Sequence, residues 1–215
     1  MKISIVCSNP MHPVNSYLLD WIERHKQEHE IELVRKKLEL TGGDILFLVS
    51  CSEIVTANDR APYGVSLVLH ASDLPQGRGW SPHIWSLANG ASHITLTLLE
   101  AEDRVDSGRI WKKNHIHVPL SALWDEINHL LFTEELRLMD FALASFGHIQ
   151  GEDQSVNVQP TYHRMRTPQD SQIDPHQTLA DQFDLIRVCD PHRFPAFFEF
   201  RGQRFALKLE KIHDK

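Results

Sequence analysis

Two residues in this sequence are suited to moving a proton. His70 closes an apolar run, Leu67 to Leu69, and opens a loop with Pro75, Gly77 and Gly79 as breakers; Asp106 sits in an acidic loop just before Gly108. An imidazole with an ordinary pKa of ~6.5 accepts and returns protons near neutrality, and a carboxylate beside it orients the ring and favours its charged form. Each has a plainer reading, a hydrogen-bonded core histidine and a turn aspartate ahead of glycine. Close to His70, Asp73 can contact an amine or cap the turn, and Arg78 can take an anionic substrate group or be an ordinary exposed arginine. Trp80, Trp85 and Trp111 can stack on a flat ring, although such spacings are more often core, and core is the reading for Trp85.

The elements that must position these residues are legible in outline. A helix is predicted from near Pro82 to the Asn89-Gly90 break, followed by a second apolar strand, His93 to Leu99. If it lies parallel to the strand ending at His70, the carboxyl ends of both open onto one crevice and His70 faces Asp106. Upstream, Ile3 to Cys7 reads as a strand and Ser8-Asn9-Pro10 as a turn; Asn15 or Ser16 caps a helix to about Glu28, with Tyr17, Leu18, Trp21 and Ile22 on one buried face. Ile31 to Val34 is a further strand, and Asp44 to Ser50 is the continuous apolar run of a strand buried on both faces. This order predicts an α/β fold, an open, mostly parallel Rossmann-like sheet. Its first turn lacks GxGxxG, so nothing there supports a dinucleotide.

Downstream, Arg109 to Pro119 reads as a strand, and Ser121 as the cap of a long helical region, Ala122 to about Phe146, with Thr133 as a candidate break. His115 and His117 lack a third ligand, so no metal site is expected. Gly147 to about Leu179 is poor in large apolar residues and is either disordered or a functional loop. Tyr162, Arg164 and Arg166 favour the second reading, because guanidinium forks bind planar oxyanions. In the tail, Phe183 to Val188, Phe194 to Phe200 and Arg204 to Ile212 are predicted strands, the last two joined by a hairpin turn at Arg201-Gly202-Gln203. The expected division is residues 1–146 as catalytic domain, 147–182 as substrate-contacting linker and 183–215 as a small C-terminal β appendage.

A chain of 215 residues, 41% apolar, can bury a real core. No apolar run approaches the ~20 residues of a membrane span and no signal-peptide pattern follows Met1, so a cytoplasmic protein without membrane association is expected. Cys7, Cys51 and Cys189 are scattered and lack metal-ligand spacing, which predicts reduced thiols. The net charge of −7 argues against a nucleic-acid partner.

The stretch from His70 through Leu74-Pro75, Arg78-Gly79, Pro82, the Trp85 helix, Thr95 to Leu98 and Asp106-Ser107-Gly108 resembles the formyltransferase signature, and the 36 positions between His70 and Asp106 are in keeping with it. The resemblance implies a Rossmann-like enzyme that moves a formyl group from N10-formyltetrahydrofolate to an amine, with His70 and Asp106 catalytic. It also implies that the folate lies against Ser50, Cys51, Ser52, Ile54 and Asp103. Asp73, Arg78, Trp80, Tyr162, Arg164 and Arg166 become the candidates for contacting the acceptor. The linker and short tail resemble those of relatives acting on amino sugars or nonulosonic-acid (pseudaminic-type) precursors, so a small amino sugar is the expected substrate, and a homodimer is left open. Where the family carries Asn two residues before the histidine, this chain has Val68. The oxyanion donor must then come from a backbone N–H of residues 71–73, from Ser66 or Ser72, or from the Ser50 to Ser52 turn. The alternatives are a folate- or sugar-binding relative without turnover, and a phosphoribosylglycinamide formyltransferase, which would leave the tail unexplained.

Overall fold

The computed structural model describes residues 1–212. In chain order the elements are β1 (Lys2–Val6), α1 (Val14–His25), β2 (Glu30–Val34), β3 (Gly43–Leu48), α2 (Ala57–Arg60), β4 (Tyr63–His70), β5 (Arg78–Gly79) and α3 (Pro82–Ala88). They continue as β6 (His93–Glu100), β7 (Ile110–His117), α4 (Trp124–Ser145), β8 (Tyr162–His163), α5 (Leu179–Arg187), β9 (Ala196–Phe200) and β10 (Gln203–Leu207). One six-stranded sheet, ordered β2-β1-β3-β4-β6-β7, carries the fold. The first four strands are parallel, as the continuous apolar runs predict.

Strand alternation decides what faces where. Ile3, Ile5, Ile45, Phe47, Leu67 and Leu69 point to one face and pack against Leu18 and Trp21 of α1 and Leu131, Leu138 and Met139 of α4. Each such side chain, fully buried, contributes about 1.5–3 kcal/mol. Val6, Leu46 and Leu48 point to the other face, which is covered more thinly, by Val55 and by Tyr63 from the start of β4. Ser66, Val68 and His70 share this second face, so the thin side of the sheet carries the histidine.

Several expectations are corrected. β6 pairs with β4 antiparallel, not parallel, with Leu67 opposite Glu100 and His70 opposite Thr97. Neither Asn15 nor Ser16 caps α1. The helix starts at Val14 after Pro13, and the Asn15 amide donates to the carbonyls of Asn9, Pro10 and His12, pinning the turn after β1. α4 is capped at Leu123, whose N–H donates to the Glu126 carboxylate at 2.8 Å, and it runs unbroken through Thr133. Phe183 to Val188 is not a strand but lies mostly in α5: Thr178 accepts from the Asp181 N–H at 3.2 Å, and Leu179, Phe183 and Ile186 recur at helical spacing. The hairpin turn falls at Arg201 and Gly202, both with positive φ, and β10 stops at Leu207, short of Ile212.

Candidate active site

The strand order reverses between β1 and β3, and the crevice beyond the carboxyl ends of strands at such a switch is where open α/β sheets bind ligands. Ser8, after β1, receives the Ser52 N–H at 3.0 Å and donates to the Cys51 sulfur at 3.8 Å, tying the two turns together. Leu48 pairs with Val68, so the residues two further on, Ser50 and His70, leave the sheet side by side. Ser50 is exposed and left-handed at φ 50°. Burial raises the Cys51 thiol above its ordinary range, and all three cysteines are free.

β6 carries the chain away from His70, so the 101–109 loop must double back. It is folded by Ala101 N–H to Ser66 O and by Glu100 N–H to Arg109 O, each 2.8 Å. Asp106, at φ 54°, is thereby returned to the histidine. Its Oδ1 lies 3.5 Å from His70 Nδ1, with the two side chains 7% and 8% exposed. Its Oδ2 accepts the Gly79 N–H at 2.8 Å. His70 Nε2 lies 2.8 Å from the Gly77 carbonyl, an acceptor only, so Nε2 carries the proton and donates.

The segment Gly77 to Gly79 is thus a strap that touches both members of the pair. Residues 161–163 hold it from outside: Thr161 O accepts from Arg78 N at 2.9 Å, Thr161 Oγ1 from Gly77 N at 2.8 Å, and His163 O from Trp80 N at 3.0 Å. Gly79 has φ 94°, and a Cβ there would collide with the His163 carbonyl, so glycine is required. Asp73 is paired with Lys113 at 2.5 Å, and the same ammonium donates to Leu74 O at 2.6 Å.

Arg78 is buried. It donates to the Tyr162 hydroxyl at 3.1 Å and to Gln154 Oε1 at 2.6 Å, and Gln154 in turn donates to the carbonyls of Asp106 and Gly108. The Tyr162 hydroxyl accepts a second guanidinium, that of Arg104, at 2.6 Å. Sequence reading missed Arg104 and Gln154; a lone basic residue in the acidic stretch Glu100 to Asp106 was the available signal for the first. Arg164 is turned onto the Asp170 carboxylate at 2.7 and 2.5 Å, and Arg166 onto the Asp170 carbonyl at 2.8 Å, with both guanidiniums over the Trp85 ring. Trp85 is therefore not a core residue: it stacks on His163 and donates to Arg164 O at 3.2 Å, anchoring the linker. Trp80 is partly exposed, at 42%.

His83 and His163 lie near His70 and are both held below the ordinary histidine range, first by burial and then by the charge of His70; His83 falls to about 3. At the start of α2, residues 54–58 and Asp103 line a cleft of about 290 Å³, with Asp103 paired to Arg60 at 2.8 Å. A larger concavity of about 410 Å³, at Pro119 and the start of α4, contains none of the candidate residues.

Residues 8–139, more than half of the chain, match the family described as formyl transferase. The chain belongs to that family. Three solved structures show how fully this formyltransferase keeps the fold. Methionyl-tRNA formyltransferase from Clostridium thermocellum superposes with a TM-score of 0.83 at 20% identity, covering 99% of this chain and 94% of that one. A sugar N-formyltransferase from Shewanella sp. gives 0.71 at 16% identity, with 100% and 99% covered. HypX from Aquifex aeolicus in complex with tetrahydrofolic acid gives 0.76 at 17% identity, over 95% of this chain but 36% of that one. The first of these matches the short tail as well, so the tail does not by itself separate sugar from tRNA substrates.

Proposed function

We propose that this formyltransferase moves a formyl group from N10-formyltetrahydrofolate to the amine of an amino sugar, either a nucleotide-linked sugar or a nonulosonic-acid precursor. The observation that carries the reading is the buried His70–Asp106 contact at the crevice of the sheet. The likeness to the Shewanella sugar enzyme and the net charge of −7 support a small acceptor over a polyanion. The HypX complex supports the folate donor.

The donor supplies an electrophilic formyl carbon. The amine nitrogen bonds that carbon, its bond to N10 breaks, and one proton passes from the amine to N10. His70 is the group that carries this proton and Asp106 orients it. The cleft beside Ile54 and Asp103 is of the right order for a pterin, with an exposed apolar wall and a carboxylate able to accept from a ring amine edge. Asp73, Arg78, Trp80 and Tyr162 are left on the acceptor side, whereas Arg164 and Arg166 act by fixing the linker. In this scheme residues 1–146 perform the chemistry, 147–182 close over the acceptor, and the described part of the appendage, 183–212, braces the linker.

For the missing Asn, Ser66 is the weaker substitute, since it lies four residues back along β4 from His70. Both hydroxyls are buried without a partner among the described residues, and Ser72 is the better one because its N–H donates to His70 O at 3.0 Å and it lies against Gly77 of the strap. A second reading, folate binding without turnover, is favoured by Val68 and by the Gly77 carbonyl on Nε2. A steady-state assay of tetrahydrofolate release with a panel of amino sugars decides between them. Release that disappears in His70→Ala supports the enzyme; folate binding with no release on any amine supports the inactive relative.

A further inference from the structure

Arg78 and Arg104 converge on one neutral acceptor, the Tyr162 hydroxyl. Arg60, Arg109 and Arg164 each pair with a carboxylate, whereas among the described residues neither Arg78 nor Arg104 has one at ion-pair distance. Arg78 is 5% exposed, its Nε is buried without a partner, and its remaining donors meet only neutral oxygens, the Tyr162 phenol and the Gln154 amide. A buried guanidinium without an anion is costly, because desolvation is offset only by opposite charge and good hydrogen bonds. Two neighbouring guanidiniums thus lack an anionic partner among the described residues.

The Tyr162 oxygen accepts from both guanidiniums, at 3.1 Å from Arg78 and 2.6 Å from Arg104, and the residue is 56% exposed. Rotating that phenol outward leaves two convergent cationic forks open to solvent, the geometry that binds carboxylate or phosphate. The position is also coupled to the His70–Asp106 pair. Gly79, next to Arg78, holds Asp106 Oδ2, and Gln154 bridges the Arg78 guanidinium to the Asp106 carbonyl.

We infer that Arg78 and Arg104 form a binding site for an anionic group, carboxylate or phosphate, with the Tyr162 hydroxyl occupying the anion's place until it arrives. Read with the proposed amino-sugar acceptor, on which this identification of the ligand rests, the site selects acceptors that carry a negative charge beside the reacting amine. A neutral amino sugar leaves both guanidiniums on the phenol.

The test is titration of the full chain with inorganic phosphate and, separately, acetate, followed by thermal shift and amide chemical shifts, for the unaltered protein, Arg104→Gln, Arg104→Lys and Tyr162→Phe. Saturable binding is expected, weakened about tenfold or more by Arg104→Gln, since charge-assisted hydrogen bonds are the strong ones. Arg104→Lys, which keeps the charge and loses the fork, should fall between. Tyr162→Phe removes the internal competitor and should bind as tightly or more tightly. Preference for phosphate assigns a phosphorylated acceptor, and preference for acetate a carboxylated one. Absence of binding by either anion, no change in Arg104→Gln, or equal weakening by Tyr162→Phe and Arg104→Gln each overturns the site. Arg104 is exposed, so its variants should fold, which circular dichroism checks. No turnover is needed. Anion binding without tetrahydrofolate release therefore counts against sugar formylation alone, and release without anion binding counts against the anion site alone.

Discussion

The Gly77 carbonyl sits 2.8 Å from His70 Nε2, on the opposite side of the ring from Asp106. One imidazole is therefore held from both edges, by a loop 36 positions downstream and by a strap seven positions away. The strap also holds Asp106, through the Gly79 N–H. Proton traffic at Nε2 requires Gly77 to give way, and residues 161–163 hold Gly77 in place. The linker is in this sense part of the catalytic apparatus proposed for the sheet.

Asp106→Asn tests the pair without dismantling the strap. The amide oxygen can still accept the Gly79 N–H, so the loop should stay in place while the charge facing Nδ1 is lost. Tetrahydrofolate release should fall about 10²-fold or more, the usual scale of a disabled acid–base pair, with the melting temperature little changed. Undiminished release would remove Asp106 from the reaction.

Val68→Asn tests the missing donor. Val68 shares the face of β4 with His70, two residues away, so a carboxamide there points to the same side of the sheet. One oxyanion donor is worth ~10²–10³ in rate. If nothing else in the site supplies it, kcat should rise at least tenfold, at a stability cost of about 1–2 kcal/mol for burying an amide among Leu48, Val55 and Cys51. If kcat does not change, the role is already filled, and Ser72→Ala should then lower it.

The sequence made the sheet legible because parallel strands buried on both faces leave uninterrupted apolar runs, as in Asp44 to Ser50. It did not reveal the direction of β6: an apolar strand reads the same whether it runs with β4 or, as here, against it, with Leu67 opposite Glu100 and His70 opposite Thr97. Phe183 to Val188 misled because Phe, Ile and Val favour strands, while the Thr178–Asp181 cap and the helical spacing of Leu179, Phe183 and Ile186 outweighed that preference. The approach of His70 to Asp106 could be anticipated from motif spacing. The fate of Arg164 could not, since its partner Asp170 lies in the same polar stretch and no periodicity marks the pair.

Glu135 makes stability depend on pH. It lies inside α4 with Oε2 buried and without a partner among the described residues, and burial alone pushes its carboxyl from 4.5 up to about 8. As pH rises from 4.5 the unfolded chain gives up this proton while the folded chain keeps it, so stability falls with pH until about 8 and then levels. His12 and His83, both lowered by burial, to about 4 and about 3, oppose it below 6.5, where the unfolded chain takes up protons that the folded chain refuses. His163, also lowered, adds to this opposition, and all three fade only as the unfolded histidines lose their protons above 6.5, so from about pH 7.5 to 8 the Glu135 slope should outweigh theirs, at no more than about 1.4 kcal/mol per pH unit. Urea melts across that window should show the decline in the unaltered protein and lose most of it in Glu135→Gln. A slope that survives the substitution would place its origin elsewhere.

Loss of Arg187 should destabilise the fold. Its side chain is fully buried; it pairs with Asp184 at 2.7 Å and donates to the carbonyls of Ala91 at 3.1 Å, Leu87 at 3.4 Å and Pro119 at 3.5 Å. Two of those carbonyls belong to the last turn of α3 and the chain just after it, where the helix dipole is negative and orphan acceptors are the rule. A single guanidinium thus joins α5 to the end of the helix that follows the strap. Arg187→Met keeps much of the volume and removes every donor, leaving buried acceptors unmet at 1–3 kcal/mol apiece, so a loss of about 3 kcal/mol or more is expected in urea melts. Because α3 begins at Pro82, three residues beyond the strap, the loosening should also raise hydrogen exchange at the Arg78 and Trp80 amides, which bond to Thr161 O and His163 O. A variant that melts early while those two amides stay protected would show that α5 braces the tail alone, and that the strap depends only on the linker.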